Sequence, residues 1–215
     1  MSAERRRSPT EGPERLEAFS DAVMAVIITI LALGLRRPDG TDWGSVRVVL
    51  PGLLIYILAF LFIAIYWNNH HHLLRATRFI SGGVMWANML LLFWLSLIPV
   101  STEWLRDAPR NPYPVAFFGI VGLAAALSYT WLVRSIIRAN GRDSEVALAI
   151  QGDVKGTISL GLYALGVGLA VANLWLLAYA CYAAVSVIWL IPDRRFTHRH
   201  EEQPPAGPGT EPGPG

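Results

Sequence analysis

Charge is what this chain has least of. Only 16% of its 215 residues are Asp, Glu, Lys or Arg, against about 25% in ordinary soluble domains. The formal net charge of +2 comes with arginines scattered along the chain, which excludes an electrostatic nucleic-acid surface. The single cysteine, Cys181, lies inside an apolar stretch and excludes an intrachain disulfide. Several motifs are missing as well: the chain has no P-loop, zinc-protease helix, nucleophile elbow or glycine-rich filter of the usual potassium-channel type. The segments between its apolar runs are short and carry no catalytic constellation, so an enzyme is not expected.

What fills the chain instead is hydrocarbon. Hydrophobic residues make up 53% of it, and the mean hydropathy is +0.39. Crossing ~30 Å of bilayer takes ~20 apolar residues. Six such runs are drawn, at 18–35, 48–67, 84–102, 115–133, 157–172 and 174–191. The last two are continuous in hydropathy, but one helix over that length would measure about 52 Å. Two crossings joined near Asn173 fit the bilayer better. Charge supports the same count. With six crossings, 13 of the 18 basic residues lie on the side shared by the termini and five on the other, whereas five crossings would weaken the bias to ten against eight. Because basic residues stay in the cytoplasm, the expected fold is an all-α membrane protein. It is a six-transmembrane-helix bundle with both termini cytoplasmic.

The ends need separate treatment. A cleaved signal peptide would use the small residues around Ala32 to Gly34, but the apolar run is longer than a signal core and Asp21 would be out of place in it. The expected division is a cytoplasmic segment over 1–17, the helical domain over 18–192, and a disordered Pro/Gly-rich cytoplasmic tail over 193–215.

Polar residues inside these runs carry the functional signal. Asp21 sits at the mouth of an otherwise apolar first helix, where an unpaired charge costs several kcal/mol. At 100° per residue, Ala22, Val26, Thr29 and Leu33 form one narrow stripe. Thr29 is its only hydroxyl. Two readings stay open: ordinary packing with threonine bonded back to its own helix, or a pore wall in which apolar side chains constrict and a hydroxyl ring helps replace water around an ion. The second helix closes on Trp67-Asn-Asn-His70-His71-His72. Consecutive histidines point 100° apart and do not converge on one ion, so no metal is expected. One or two of them should face the bundle and pair with Asp21 or Ser20. Asn88 reads as an interhelical hydrogen bond and Pro99 as a kink near the outer end. Gly156, Gly161, Gly166 and Gly168, with Ala164, suit close helix packing.

Arg15-x-x-x-Phe19-Ser20-Asp21, Thr29, Trp67-Asn-Asn-His70-His71, and Asn88 through Pro99 resemble the prokaryotic branch of the transmembrane protein 175 potassium channels over roughly the first hundred residues. The resemblance implies six helices per subunit and a homo-oligomer, a tetramer, in the plasma membrane of a bacterium. It also implies a central pore lined by helix one, with hydrophobic constrictions in place of a carbonyl filter. Proton conduction is attributed to the animal members. By position, Val26, Thr29 and Leu33 would face the pore, while Ser20 and Asp21 would join a polar network. Val26 stands where a larger Ile or Leu is common, which implies a wider innermost constriction. The expectation is a potassium-permeable channel needing no cofactor beyond the permeant ion. The alternatives are a proton- or cation-coupled transporter using Asp21 and a nonconducting scaffold.

Overall fold

The computed structural model describes residues 11–141, 143–144, 146–147 and 154–190. The first ten residues and the segment from 191 onward, including the expected tail, lie outside the described residues. Helices α1 (Glu11–Leu33), α2 (Trp43–Arg75), α3 (Gly82–Ser96), α4 (Ile98–Asp107), α5 (Pro112–Asn140), α6 (Val154–Val171) and α7 (Trp175–Leu190) account for nearly all of them. Helices α3 and α4 together make one candidate crossing over Gly82–Asp107, so the described residues hold six. Five crossings are long and apolar enough to span a membrane, and the sixth, α7, is shorter. Its 16 residues reach about 24 Å.

The helices outrun the apolar runs because side chains cap them beyond the hydrocarbon. Helix α1 starts at Glu11, well before residue 18. Asp42 opens α2 by accepting from the Ser45 amide, Ser81 opens α3 through the Val84 amide, and Asn111 opens α5 through the Tyr113 amide. At 33 residues, α2 extends about 50 Å and carries its histidines in its last two turns.

Two breaks interrupt the helices, and the first of them sets the topology. After α6 the chain turns at Asn173, whose φ of 64° is left-handed. The Leu174 amide donates to Leu169 O at 2.8 Å and the Asn173 amide to Ala170 O at 2.9 Å, the paired bonds that close a helix with a left-handed residue. This turn is what makes so short a hairpin feasible. The other break is at Leu97, between α3 and α4. Pro99 lies in the first turn of α4, where a missing N–H leaves no helical bond unmade. The kink expected there is thus a helix end followed by a new helix.

Packing runs along the chain. Helix α1 buries Leu16, Ser20, Met24, Ile27 and Leu31 against α2, α3 and α4. Helices α3, α5, α6 and α7 pack in succession. Asn140, at the end of α5, accepts from the Arg78 and Phe79 amides and donates to Phe79 O, stitching the α2–α3 turn to the bundle.

Candidate functional site

The site is built around α1, whose two sides have opposite characters. On helical geometry the stripe of Ala22, Val26, Thr29 and Leu33 lies roughly 150° from the buried face. All four residues are exposed, Val26 at 55% and Leu33 at 84%. Ile28, on the flank, is half-buried against the core. Thr29 Oγ1 donates to Val26 O at 2.7 Å and lies 3.1 Å from Ala25 O. The hydroxyl proton is therefore spent on the helix itself, while the oxygen keeps lone pairs directed off it.

At its inner end α1 is tied to α2 and α3 by a buried chain of polar groups. Ser20 Oγ donates to Leu16 O at 2.8 Å and accepts from Asn88 Nδ2 at 2.9 Å, while Asn88 Oδ1 lies 2.7 Å from His70 Nε2. Because Asn88 spends its oxygen on the imidazole, the ring nitrogen facing it carries the proton. Ser20, Asn88 and His70 are all fully buried. Burial explains the choice of residues: each unsatisfied group there would cost about 1–3 kcal/mol.

Asp21 is not hydrogen-bonded into that chain: of the two partners expected for a histidine, Ser20 meets His70 through Asn88, and Asp21 sits beside His71 instead. Neighbours on a helix point 100° apart, so Ser20 faces inward and Asp21 falls on the flank. There it joins Glu17 and His71. His71 Nδ1 lies 2.7 Å from Glu17 Oε1, off the alignment of a hydrogen bond, and Asp21 Oδ1 is buried without a hydrogen-bond partner. Trp67 stacks over the His71 ring at 5.8 Å and 24°, and Arg75 Nε is 3.9 Å from Glu17. Arg15 and Phe19 are exposed and outside both groups, and Pro99 lies at the other end of the bundle.

The outer end of α1 is also held. Arg106 Nη1 donates to Gly34 O, just past the C-terminus of α1, and Arg36 pairs with Asp107 at 2.9 Å. A guanidinium at a helix C-terminus satisfies a free carbonyl and complements the helix dipole. Sequence reasoning missed both Glu17 and Arg106. Glu17 had a signal, since it precedes Asp21 by four residues and shares its face. Arg106 had none, because its role depends on α4 packing beside the end of α1.

An all-α integral membrane protein, clamped at both ends of its first helix and presenting an apolar, hydroxyl-bearing face of it, is the class these features define. A model described as the endosomal/lysosomal potassium channel TMEM175 matches residues 15–99. A potassium channel of Chryseobacterium sp. (strain P1-3) is 45% identical over 182 residues, which cover 85% of this chain and 94% of that protein. The chain belongs to the TMEM175 family. The endosomal/lysosomal proton channel TMEM175 of Gallus gallus is 23% identical over 125 residues, 56% of this chain and 25% of that one. The fold is that of the crystal structure of a lysosomal potassium-selective channel TMEM175 homolog from Chamaesiphon minutus, at a TM-score of 0.69 and 24% identity over 83% of this chain and 96% of that one. The relatives are named channels and not enzymes.

Proposed function

We propose that the chain is a potassium-permeable channel of a bacterial plasma membrane, open to protons as well, formed by a homo-oligomer, a tetramer, around a pore lined by α1. The observation that carries this is the exposed stripe of Ala22, Val26, Thr29 and Leu33 on a helix fixed at both ends. Four copies of that stripe around one axis make an apolar neck with a ring of hydroxyl oxygens at Thr29. Because each hydroxyl donates to its own helix, its oxygen is left to face a dehydrated cation. The apolar neighbours restrict wetting, and the fixed ends keep the neck from widening.

One observation favours a second reading. The partnerless Oδ1 of Asp21, at the inner mouth, is where a proton- or cation-coupled carrier would place its coupling carboxylate. Flux into liposomes separates the two. The purified protein should pass K+ down its gradient with no second gradient imposed. Uptake that appears only when a proton or Na+ gradient is supplied would establish the carrier, and no uptake in either condition would leave a scaffold.

A further inference from the structure

We propose that Glu17, Asp21 and His71 form a site for a divalent transition-metal ion such as Zn2+, linking α1 to α2 at the inner edge of the membrane. One donor atom from each residue lies within 4.8 Å of the other two. Glu17 and Asp21, one turn apart on α1, share a face, and His71 approaches it from α2. Consecutive histidines on one helix cannot converge on an ion, but one of them can meet two carboxylates from a neighbouring helix.

The local bonding leaves room for an ion. Asp21 Oδ1 and His71 Nδ1 are both shielded from solvent and neither makes a hydrogen bond. Glu17 Oε1 lies 2.7 Å from His71 Nδ1, closer than two ligands on one tetrahedral metal, so an ion entering here would part the pair by about 0.7 Å. Arg75 reaches only Glu17 and leaves the other two donors unsatisfied. Donors around a tetrahedral zinc lie roughly 3.4 Å apart, given Zn–N and Zn–O distances of ~2.0–2.2 Å. A small rotation of two flexible carboxylates closes the remaining gap. The Trp67 ring stacked on His71 restrains the imidazole plane. One imidazole with two carboxylates favours Zn2+ and its d-block neighbours over Mg2+. Three protein ligands also leave a coordination position for water.

The site is separate from the Ser20–Asn88–His70 chain, so it can be disabled without touching that clamp. The test is Zn2+ binding by calorimetry and bound-metal analysis on tag-free, full-length protein in detergent, which needs no ion flux. About one Zn2+ per chain is expected, with Mg2+ not competing. Glu17→Gln and His71→Ala should each weaken Zn2+ binding by at least about tenfold, while His72→Ala and the pair His198→Ala/His200→Ala leave it unchanged. Glu17→Gln preserves size while removing the charge, and its elution as the same oligomer rules out misfolding as the cause. Zn2+ should also raise the Tm of the wild type and not that of Glu17→Gln. Absence of stoichiometric Zn2+ binding by the wild type, or binding that survives both Glu17→Gln and His71→Ala, would overturn the proposal.

Discussion

Helices α1–α4 and helices α5–α7 are built on different principles. The first group meets through polar bonds: Ser20, Asn88 and His70 join three helices at the inner end, and Arg106 and Arg36 hold the outer end. The second group meets mainly through shape, with one side-chain bond between helices, from Trp189 Nε1 to Ser159 Oγ at 2.8 Å. Gly119 and Gly166 leave the space that the Tyr182 ring fills, and Gly122 does the same for Tyr163. Tyr163 and Tyr182 stack at 6.0 Å and 28°, and the Tyr182 hydroxyl reaches Val115 O at 3.1 Å. Polar bonds fix direction and register, which a helix needs if one of its faces is to do chemistry, whereas volume matching needs only the right sizes. The family match ends at residue 99, within the polar group.

Breaking the shape-packed half should have the largest effect on stability. A Cβ at position 166 would run into the Tyr182 ring, so Gly166→Leu should destabilise the fold by about 3 kcal/mol, read as loss of the monodisperse species in detergent. Gly168, which faces open space, supplies the contrast: Gly168→Leu should shift stability by less than about 0.5 kcal/mol. Equal damage from the two would mean that α6 packs by another face.

In the polar half the decisive residue is Asn88, which serves both neighbours. Asn88→Leu strands the His70 imidazole and removes the donor to Ser20. Interhelical hydrogen bonds in membranes average only about 0.6 kcal/mol, but a stranded buried group adds its own penalty, so about 1–2 kcal/mol is expected. A double-mutant cycle with His70→Ala should show strong coupling, and additive effects would dismantle the chain. Tyr182→Phe sharpens the contrast, since it removes a hydroxyl while keeping the ring that fills the glycine space. Its loss should stay near about 0.6 kcal/mol in a thermal or denaturant series. A loss as large as that of Asn88→Leu would mean that the rear half is polar-bonded as well.

The smallest effect belongs to the cap of α2. Hydrogen bonds from Ser45 hold the exposed Asp42 carboxyl below its ordinary value of 3.8. A lowered carboxyl favours folding at any pH above that value, and its contribution fades only as acidification carries the pH through the lowered one. Asp42→Ala should therefore produce a slight Tm decrease at neutral pH that vanishes once acidification has passed the lowered value of the Asp42 carboxyl. A decrease that grows on acidification would contradict the cap.

The two halves also differed in how far they could be read in advance. The split near Asn173 followed from bilayer thickness, because no single crossing needs an apolar run of that length. Its closing turn needed only a residue tolerant of positive φ. Ser20, His70 and Asn88 stood out because polar groups in apolar runs must find partners, but Ser20 and Asp21 were left as equal candidates for the histidine. Ser20 and Asp21 are adjacent, and hydropathy does not say which of the two faces α3. The glycines were harder. Gly166 and Gly168 look alike in sequence, and the small-residue pair of Ala164 and Gly168 faces outward, while Gly166 alone meets a tyrosine. That distinction depends on Tyr182 in a different helix. Helix ends were drawn too short because hydropathy stops at the membrane, whereas Asp42, Ser81 and Asn111 continue the helices past it.

The central claim is that α1 turns its buried side to the polar clamp and its other side to the ion path. Potassium and sodium flux into liposomes tests it directly, with Val26→Ala, Thr29→Val, Leu33→Ala and Ile28→Ala compared in otherwise identical protein. Widening an apolar neck eases wetting, so Val26→Ala and Leu33→Ala should raise flux and weaken selectivity. Thr29→Val keeps the shape, and it should lower potassium preference while leaving assembly intact. Ile28, on the flank of the helix, should be silent in permeation. If Ile28→Ala alters flux while the three stripe variants behave as wild type, the pore face lies elsewhere and the account is wrong.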